Sequence, residues 1–330
     1  MNTKKIVISG ITSALGISLA KLLISKGYQV TGFSRNIEKA ANILDHPAIE
    51  LQSGDLLNKT FLESVSCDAA GVIHLAALSS PFGRYRDFYA TNVVGTKLLT
   101  DVALERGVQR FVHVSTPSLY FDYRDRYQIS EVDPLPHKRV NAYASTKRMA
   151  ETVVDEAQEK GLETVTIRPR AIFGPHDQAL LPRVLKVCSE KGIPLFRDKS
   201  PIVDVTYVDN VALALWLSLE ASSDCVGQKY NITNGEPVHL WELISILLKK
   251  LSLPVQSRKI PYKFAHMAAY LAEISGTLRK KEPTFTRYSV GVMSFSQTLN
   301  IEKARNELNY QPQISLIEGI KRYVSWLQTS

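Results

Sequence analysis

Apolar positions in the first 170 residues follow two alternating patterns. Ile6–Ile8, Tyr28–Phe33, Ile49–Gln52, Gly71–Leu75, Phe111–Val114 and Val165–Arg168 are short apolar runs. Five of them end at Ser or Pro, and Gly71–Leu75 ends at Ala76-Ala77. Between them apolar residues return at helical spacing, as with Leu15, Leu19, Leu22 and Leu23 in a segment 14–26 closed by Gly27. Residues 86–107 and 143–160 repeat the helical pattern. Strand and helix in turn predict an α/β chain, a Rossmann-type doubly wound parallel sheet with helices on both faces.

The second half is less regular. Gly174-Pro175, Pro182, Pro194 and Pro201 are expected to break 174–202 into short pieces. Val203–Val208 reads as a further strand and 209–220 as an apolar helix. Amphipathic helices are expected at 239–252 and 262–275, with shorter ones at 301–309 and 315–327. With no internal repeat and no low-complexity linker, this smaller, mostly helical C-terminal lobe is expected to pack on the sheet.

Composition narrows the class. Apolar residues make up 45% and charged residues 22% of the 330, an ordinary globular balance that excludes disordered and collagen-like chains. No apolar run is long enough for a transmembrane helix. The start, Met1–Ile6, enters the first apolar run at once, so no secretory leader is expected. Three widely spaced cysteines, Cys67, Cys188 and Cys225, suit a reduced, cytoplasmic interior and no metal site. The formal charge of +8 comes from basic pairs interleaved with acids, which reads as a solvated surface and not as a nucleic-acid face.

Candidate chemistry begins after the first strand. Gly10-Ile11-Thr12-Ser13-Ala14-Leu15-Gly16 is a glycine-bounded turn into a helix, which brings backbone N–H groups and a helix N-terminus to a pyrophosphate. Its plainer reading is a helix start capped by Thr12 or Ser13. About 20 residues on, where an acid would grip a free ribose 2′-hydroxyl, the chain has Ser34-Arg35. A hydroxyl beside a guanidinium suits a 2′-phosphate, so NADP(H) is expected over NAD(H). Asp55-Leu56 and His74-Leu75-Ala76-Ala77 end strands on the same edge. Asp55 is placed to accept from an adenine amine, and Leu75, Ala76 and Ala77 to let the ribose approach. His74 is expected to be a strand-end histidine.

Tyr143-Ala144-Ser145-Thr146-Lys147 puts a phenol and an ammonium one helical turn apart. A nearby ammonium lowers a tyrosine pKa, and a tyrosine so tuned exchanges a proton with a ketone or alcohol. Ser115-Thr116, past a strand end, offers a hydroxyl to the substrate oxygen.

With these motifs in this order, and with Thr91–Thr96, Arg168-Pro169-Arg170, Gly174-Pro175 and Asp204–Asn210 also in place, the chain resembles the extended short-chain dehydrogenase/reductase superfamily. The resemblance implies that Tyr143 is the acid/base, that Lys147 binds the nicotinamide ribose and tunes it, and that Thr116, with Ser115 second, orients the substrate. It puts Pro169 and Ile172 near the nicotinamide. Asn92 becomes either a structural residue or a proton relay. It also implies a homodimer through helices 86–107 and 143–160. Ser13, where a central glycine is common, departs from the pattern. On this reading, residues 1–172 with 203–234 bind NADP(H), and 173–202 with 235–330 bind substrate.

Ser115–Asp122 and the tail around Glu282–Arg287 resemble the 3β-hydroxysteroid dehydrogenase-like branch, which includes 2-alkyl-3-oxoalkanoate reductases. That branch implies a small hydrophobic 3-oxo or 3-hydroxy substrate. Phe264, Met267, Ala268, Leu271 and Ile274 form an apolar stripe, either packed on the core or walling such a substrate. Arg183 and His176 are candidates to meet a carboxylate. A nucleotide-sugar epimerase or dehydratase and a non-catalytic NADP(H) sensor are the alternatives.

Overall fold

The structure is a computed structural model and describes residues 4–178 and 180–329. Met1 to Thr3, on which the leader expectation partly rests, lie outside them. Seven parallel strands form the main sheet: β1 (Lys5–Ser9), β2 (Gln29–Ser34), β3 (Ile49–Ser53), β4 (Ala69–His74), β5 (Arg110–Val114), β6 (Glu163–Pro169) and β7 (Lys229–Ile232). Their order is β7-β6-β5-β4-β1-β2-β3, so the chain reverses direction between β1 and β4. A crevice opens at the carboxyl ends of the strands at such a point.

The alternation along each strand sets the two faces. Ile6 and Ile8 point to the face covered by α1 (Ala14–Ser25). Val7 points to the opposite face, with Leu99 of α2 (Gly95–Glu105) and Val154 of α3 (Ala142–Glu159). Tyr85–Tyr89 and a wide turn at Ala90–Val94 lead into α2, so the expected helix over 86–107 carries a π segment.

The C-terminal part departs more. α4 (Leu181–Lys191) is continuous, because Pro182 sits in its first turn, where no intrahelical N–H is required. The expected strand over Val203–Val208 is two short strands, Ile202–Val203 and Thr206–Tyr207, which pair in different sheets. α5 (Val208–Leu219) joins α1 on its face of the sheet. Next come α6 (Leu240–Lys250), α7 (Tyr262–Arg279) and α8 (Leu316–Thr329). A small sheet gathers Val238–His239, Ile202–Val203, Gln297–Leu299 and Arg126–Ile129 from four distant places.

The stripe on α7 neither packs on the core nor walls the cavity described below. Ala265, Ala269 and Gly276 face the protein. Phe264, Met267, Leu271, Ile274 and Leu278 face solvent, with Leu278 80% exposed. No helix among the described residues is long and apolar enough to cross a membrane.

Candidate active site

The turn after β1 is fixed from several sides. Gly10 has φ +75, and a Cβ there would stand 3.0 Å from the Ala76 nitrogen. A Cβ on Gly16 would stand 2.5 Å from the Ile11 carbonyl oxygen. Ser13 is the N-cap of α1: its hydroxyl accepts from Gly16 N at 3.0 Å and donates to Gly10 O at 2.9 Å. Where a central glycine is common, Ser13 therefore closes the turn itself. Thr12 Oγ1 donates to Ser34 Oγ at 3.2 Å, which ties the turn to the tip of β2. Arg35 follows, exposed. A cradle closed to a Cβ and a helix N-terminus fit a dinucleotide phosphate.

Buried polar contacts align the other strand ends. Ser9 Oγ accepts from Leu75 N and Ala76 N, both at 3.1 Å, and donates to His74 Nδ1 at 2.7 Å. His74 Nε2 then donates to Thr96 Oγ1 at 3.0 Å, a tautomer assigned from this network. Burial, with Lys147 nearby, pushes the His74 pKa down to about 3. His74 is the strand-end histidine expected. Asn92 spends its amide on Leu78 N, Leu78 O and Thr146 Oγ1. It is buried and does not line the cavity, and its bonds tie the Ala90–Val94 turn to the loop after β4 and to α3. Asp55 is exposed, with one oxygen accepting from Leu57 N. Leu56 is buried against Gly95.

A cavity of about 710 Å³ runs from this edge into the C-terminal lobe. Thr12, Ser13, Ala14, Leu15, Leu75 and Ala77 line its nucleotide end. Ser115, Thr116, Tyr143, Pro169 and Ile172 line its middle. Its far wall is apolar, with Leu243, Ile244 and Leu247 of α6 facing Val184 and Val187 of α4.

Tyr143 and Lys147 share one face of α3, which starts at the Asn141 cap. Burial raises the Tyr143 pKa, and the hydroxyls of Thr116 and Ser79 pull it back. Lys147 is held from the β5 side. Its Nζ donates to Val114 O at 2.7 Å and to His113 Nε2 at 3.1 Å, and burial pushes its pKa down to about 7. The two hydroxyls after β5 also part. Thr116 acts on Tyr143, whereas Ser115 acts on Glu151. Thr116 Oγ1 donates to Ser118 Oγ at 3.1 Å, which lies 2.6 Å from the Tyr288 hydroxyl.

Ser79, Ser118, Tyr288, Arg170 and Asp204 were not marked as site residues by sequence reasoning. Arg170 and Asp204 fall in stretches that carry the resemblance, but no local signal set either of them apart. The carboxylate candidates also line the cavity, each with a partner: Arg183 donates to Glu282 at 2.9 Å, and His176 packs edge-on against Trp326.

A model of the NAD dependent epimerase/dehydratase family matches residues 6–233. The chain belongs to that family. It is 32% identical to a 2-alkyl-3-oxoalkanoate reductase of Stenotrophomonas maltophilia, over 96% of this chain and 98% of that one. It is 34% identical to 3beta-hydroxysteroid-dehydrogenase/decarboxylase isoform 1 of Arabidopsis thaliana, over 84% of this chain and 66% of that one. UDP-glucuronic acid 4-epimerase of Bacillus cereus, solved with NAD, shares the fold at a TM-score of 0.79 and 21% identity, over 98% and 99% of the two chains. The family and these relatives make the chain an NAD(P)-dependent oxidoreductase of the branch that the sequence resembles.

Proposed function

We propose that this protein is an NADP(H)-dependent reductase or dehydrogenase of a hydrophobic 3-oxo or 3-hydroxy compound. The observation that carries the reading is one phenol, Tyr143, flanked by the hydroxyls of Thr116 and Ser79 on a cavity whose far wall is apolar. The nicotinamide, when bound, supplies or accepts the hydride. Tyr143 gives its phenolic proton to the substrate oxygen as charge develops there, or takes it back in the reverse direction. Thr116 holds that oxygen, and Ser118 and Tyr288 hold Thr116. The apolar wall orders the chain of the substrate and excludes water. Lys147 holds the ribose through its ammonium.

Ser34 and Arg35 support the choice of NADP(H), since a hydroxyl tied to Thr12 and an exposed arginine follow one another at the tip of β2, where the 2′-phosphate is expected. We assign residues 1–172 with 203–234 to the nucleotide and the remainder to the substrate. The exposed, stacked pair Tyr85 and Tyr89 supports a homodimer through the helices that include α2 and α3. Absorbance of NADPH followed against long-chain 3-oxo acids, 3-oxosteroids and nucleotide sugars tests the function. Consumption on the first two classes supports it, and activity on nucleotide sugars alone replaces it with epimerase or dehydratase chemistry.

A further inference from the structure

Arg168 and Arg170 leave the same strand end and are equally hidden, yet they are paired very differently. Arg168 donates to Glu151 from Nε at 2.8 Å and from Nη2 at 2.7 Å, and also to the Tyr120 hydroxyl. Arg170 is 6% exposed, and its backbone is pinned: its N–H donates to Ile232 O at 3.0 Å and its carbonyl accepts from Thr206 Oγ1 at 2.5 Å. Among the described residues its side chain makes no hydrogen bond or ion pair, and its Nε is buried without a partner. Asp204 is the acid whose charge reaches it, but it forms no ion pair with it. One Asp204 oxygen is taken by Leu299 N at 2.7 Å.

A guanidinium kept in a low-dielectric wall without a counter-ion is costly, and the cost is recovered when an anion arrives. Arg170 lines the same cavity as Tyr143 and Thr116. Tyr288, which bonds Ser118, is within electrostatic reach of both Arg170 and Tyr143. We propose that Arg170 is a carboxylate subsite, and that the substrate is a long-chain acid whose carboxylate lies a few bonds from the reacting carbonyl, as in a 3-oxo acid. This rests on the ketone-reducing reading above and narrows it.

The test is calorimetric titration of the NADP-loaded protein with 3-hydroxytetradecanoate and with its methyl ester. The acid binds about tenfold or more tightly than the ester, the weight of one charge-assisted pair. Arg170→Met brings the two within about threefold by weakening the acid, and Arg170→Lys keeps part of the preference. Retained NADP binding shows that the variants fold. Equal binding of acid and ester by the unaltered protein, equal weakening of both by Arg170→Met, or binding of neither overturns the subsite. Reduction of neutral long-chain ketones is measured alongside. If acid and ester bind alike while ketones are reduced, the subsite fails and the reductase reading stands. Acid-selective binding without reduction of any ketone does the reverse.

A separate surface carries a second inference. Phe264, Met267, Leu271, Ile274 and Leu278 stand on one face of α7, each at least 45% exposed. Lys263 flanks this face at one end, and Arg279, Lys280 and Lys281 flank it at the other, all exposed. The basic end leads straight into Glu282–Phe285, which line the cavity. An apolar helix face flanked by cations is the arrangement that lies in the surface of an anionic bilayer. We infer that α7 docks on anionic lipid and brings the cavity close to apolar substrates held there.

Vesicles of equal parts phosphatidylcholine and phosphatidylglycerol should co-sediment the full chain, and pure phosphatidylcholine vesicles should carry much less. Joint replacement Phe264→Ser, Leu271→Ser and Leu278→Ser should abolish this with NADP binding intact. No binding to the anionic vesicles, or binding unchanged by the replacements, overturns the inference. So does a lipid-free dimer that the replacements dissolve, because a second copy would then cover the face.

Discussion

Lys147 Nζ lies 3.1 Å from His113 Nε2, with both groups buried. Two potential cations at that distance cannot both be charged in a low-dielectric interior. His113 yields: its pKa falls well below 6.5, and as a neutral ring it accepts from the ammonium. His74, whose ring centre is 5.4 Å from that of His113, is neutral for the same reasons.

Stability should therefore climb with pH in two windows. His74 falls from 6.5 to about 3 on folding, so between those values the unfolded chain holds the extra proton and stability is lost as pH falls. Lys147 falls from 10.5 to about 7, so between those values the unfolded chain again holds the extra proton and stability rises with pH. Urea midpoints measured from neutral to alkaline pH should rise, and Lys147→Met should flatten that rise. An equal slope in the variant counts against the buried ammonium.

Arg168 and Glu151 form a second buried pair, with side chains 3% and 0% exposed. Removing Arg168 leaves the Glu151 carboxylate only the longer, half-exposed contact to Arg148 at 3.4 Å. Arg168→Met should cost about 3–5 kcal/mol of unfolding free energy in denaturant. Adding Glu151→Leu should restore most of that loss, because the buried carboxylate goes with it. A double variant no more stable than the single one would show that the pair acts through packing.

Arg35 is exposed, so replacing it should leave the fold intact. Fluorescence titration of Arg35→Ala should show NADPH weakened about tenfold or more relative to NADH. Equal weakening of both would remove the 2′-phosphate role.

The nucleotide half was legible because its signals are local. The strands are short segments rich in Ile, Val and Phe between helical patterns, and Gly10 and Ser13 mark the turn with their own chemistry. The C-terminal lobe offers no such signal. The periodicity of α7 showed a stripe but not which face the protein covers. Here Ala265, Ala269 and Gly276 allow close approach, so the larger residues are left outside. Pro182 looked like a break because its position within the first turn cannot be known before the helix start is known. The strands of the small sheet are two to four residues long and find partners far along the chain, which no window of sequence registers. In the site, Tyr143 and Thr116 were readable from a motif. Arg170 was not, because its role lies in the absence of a partner, and only the fold shows that.

The central claim is that Tyr143 moves the proton in a reduction that consumes NADPH. The most direct measurement is the rate of NADPH consumption on a long-chain 3-oxo acid by the unaltered protein and by Tyr143→Phe, with NADPH affinity measured for both. The account predicts a rate lower by about 10²–10⁴-fold in the variant, with affinity unchanged. Equal rates in the two proteins would contradict it.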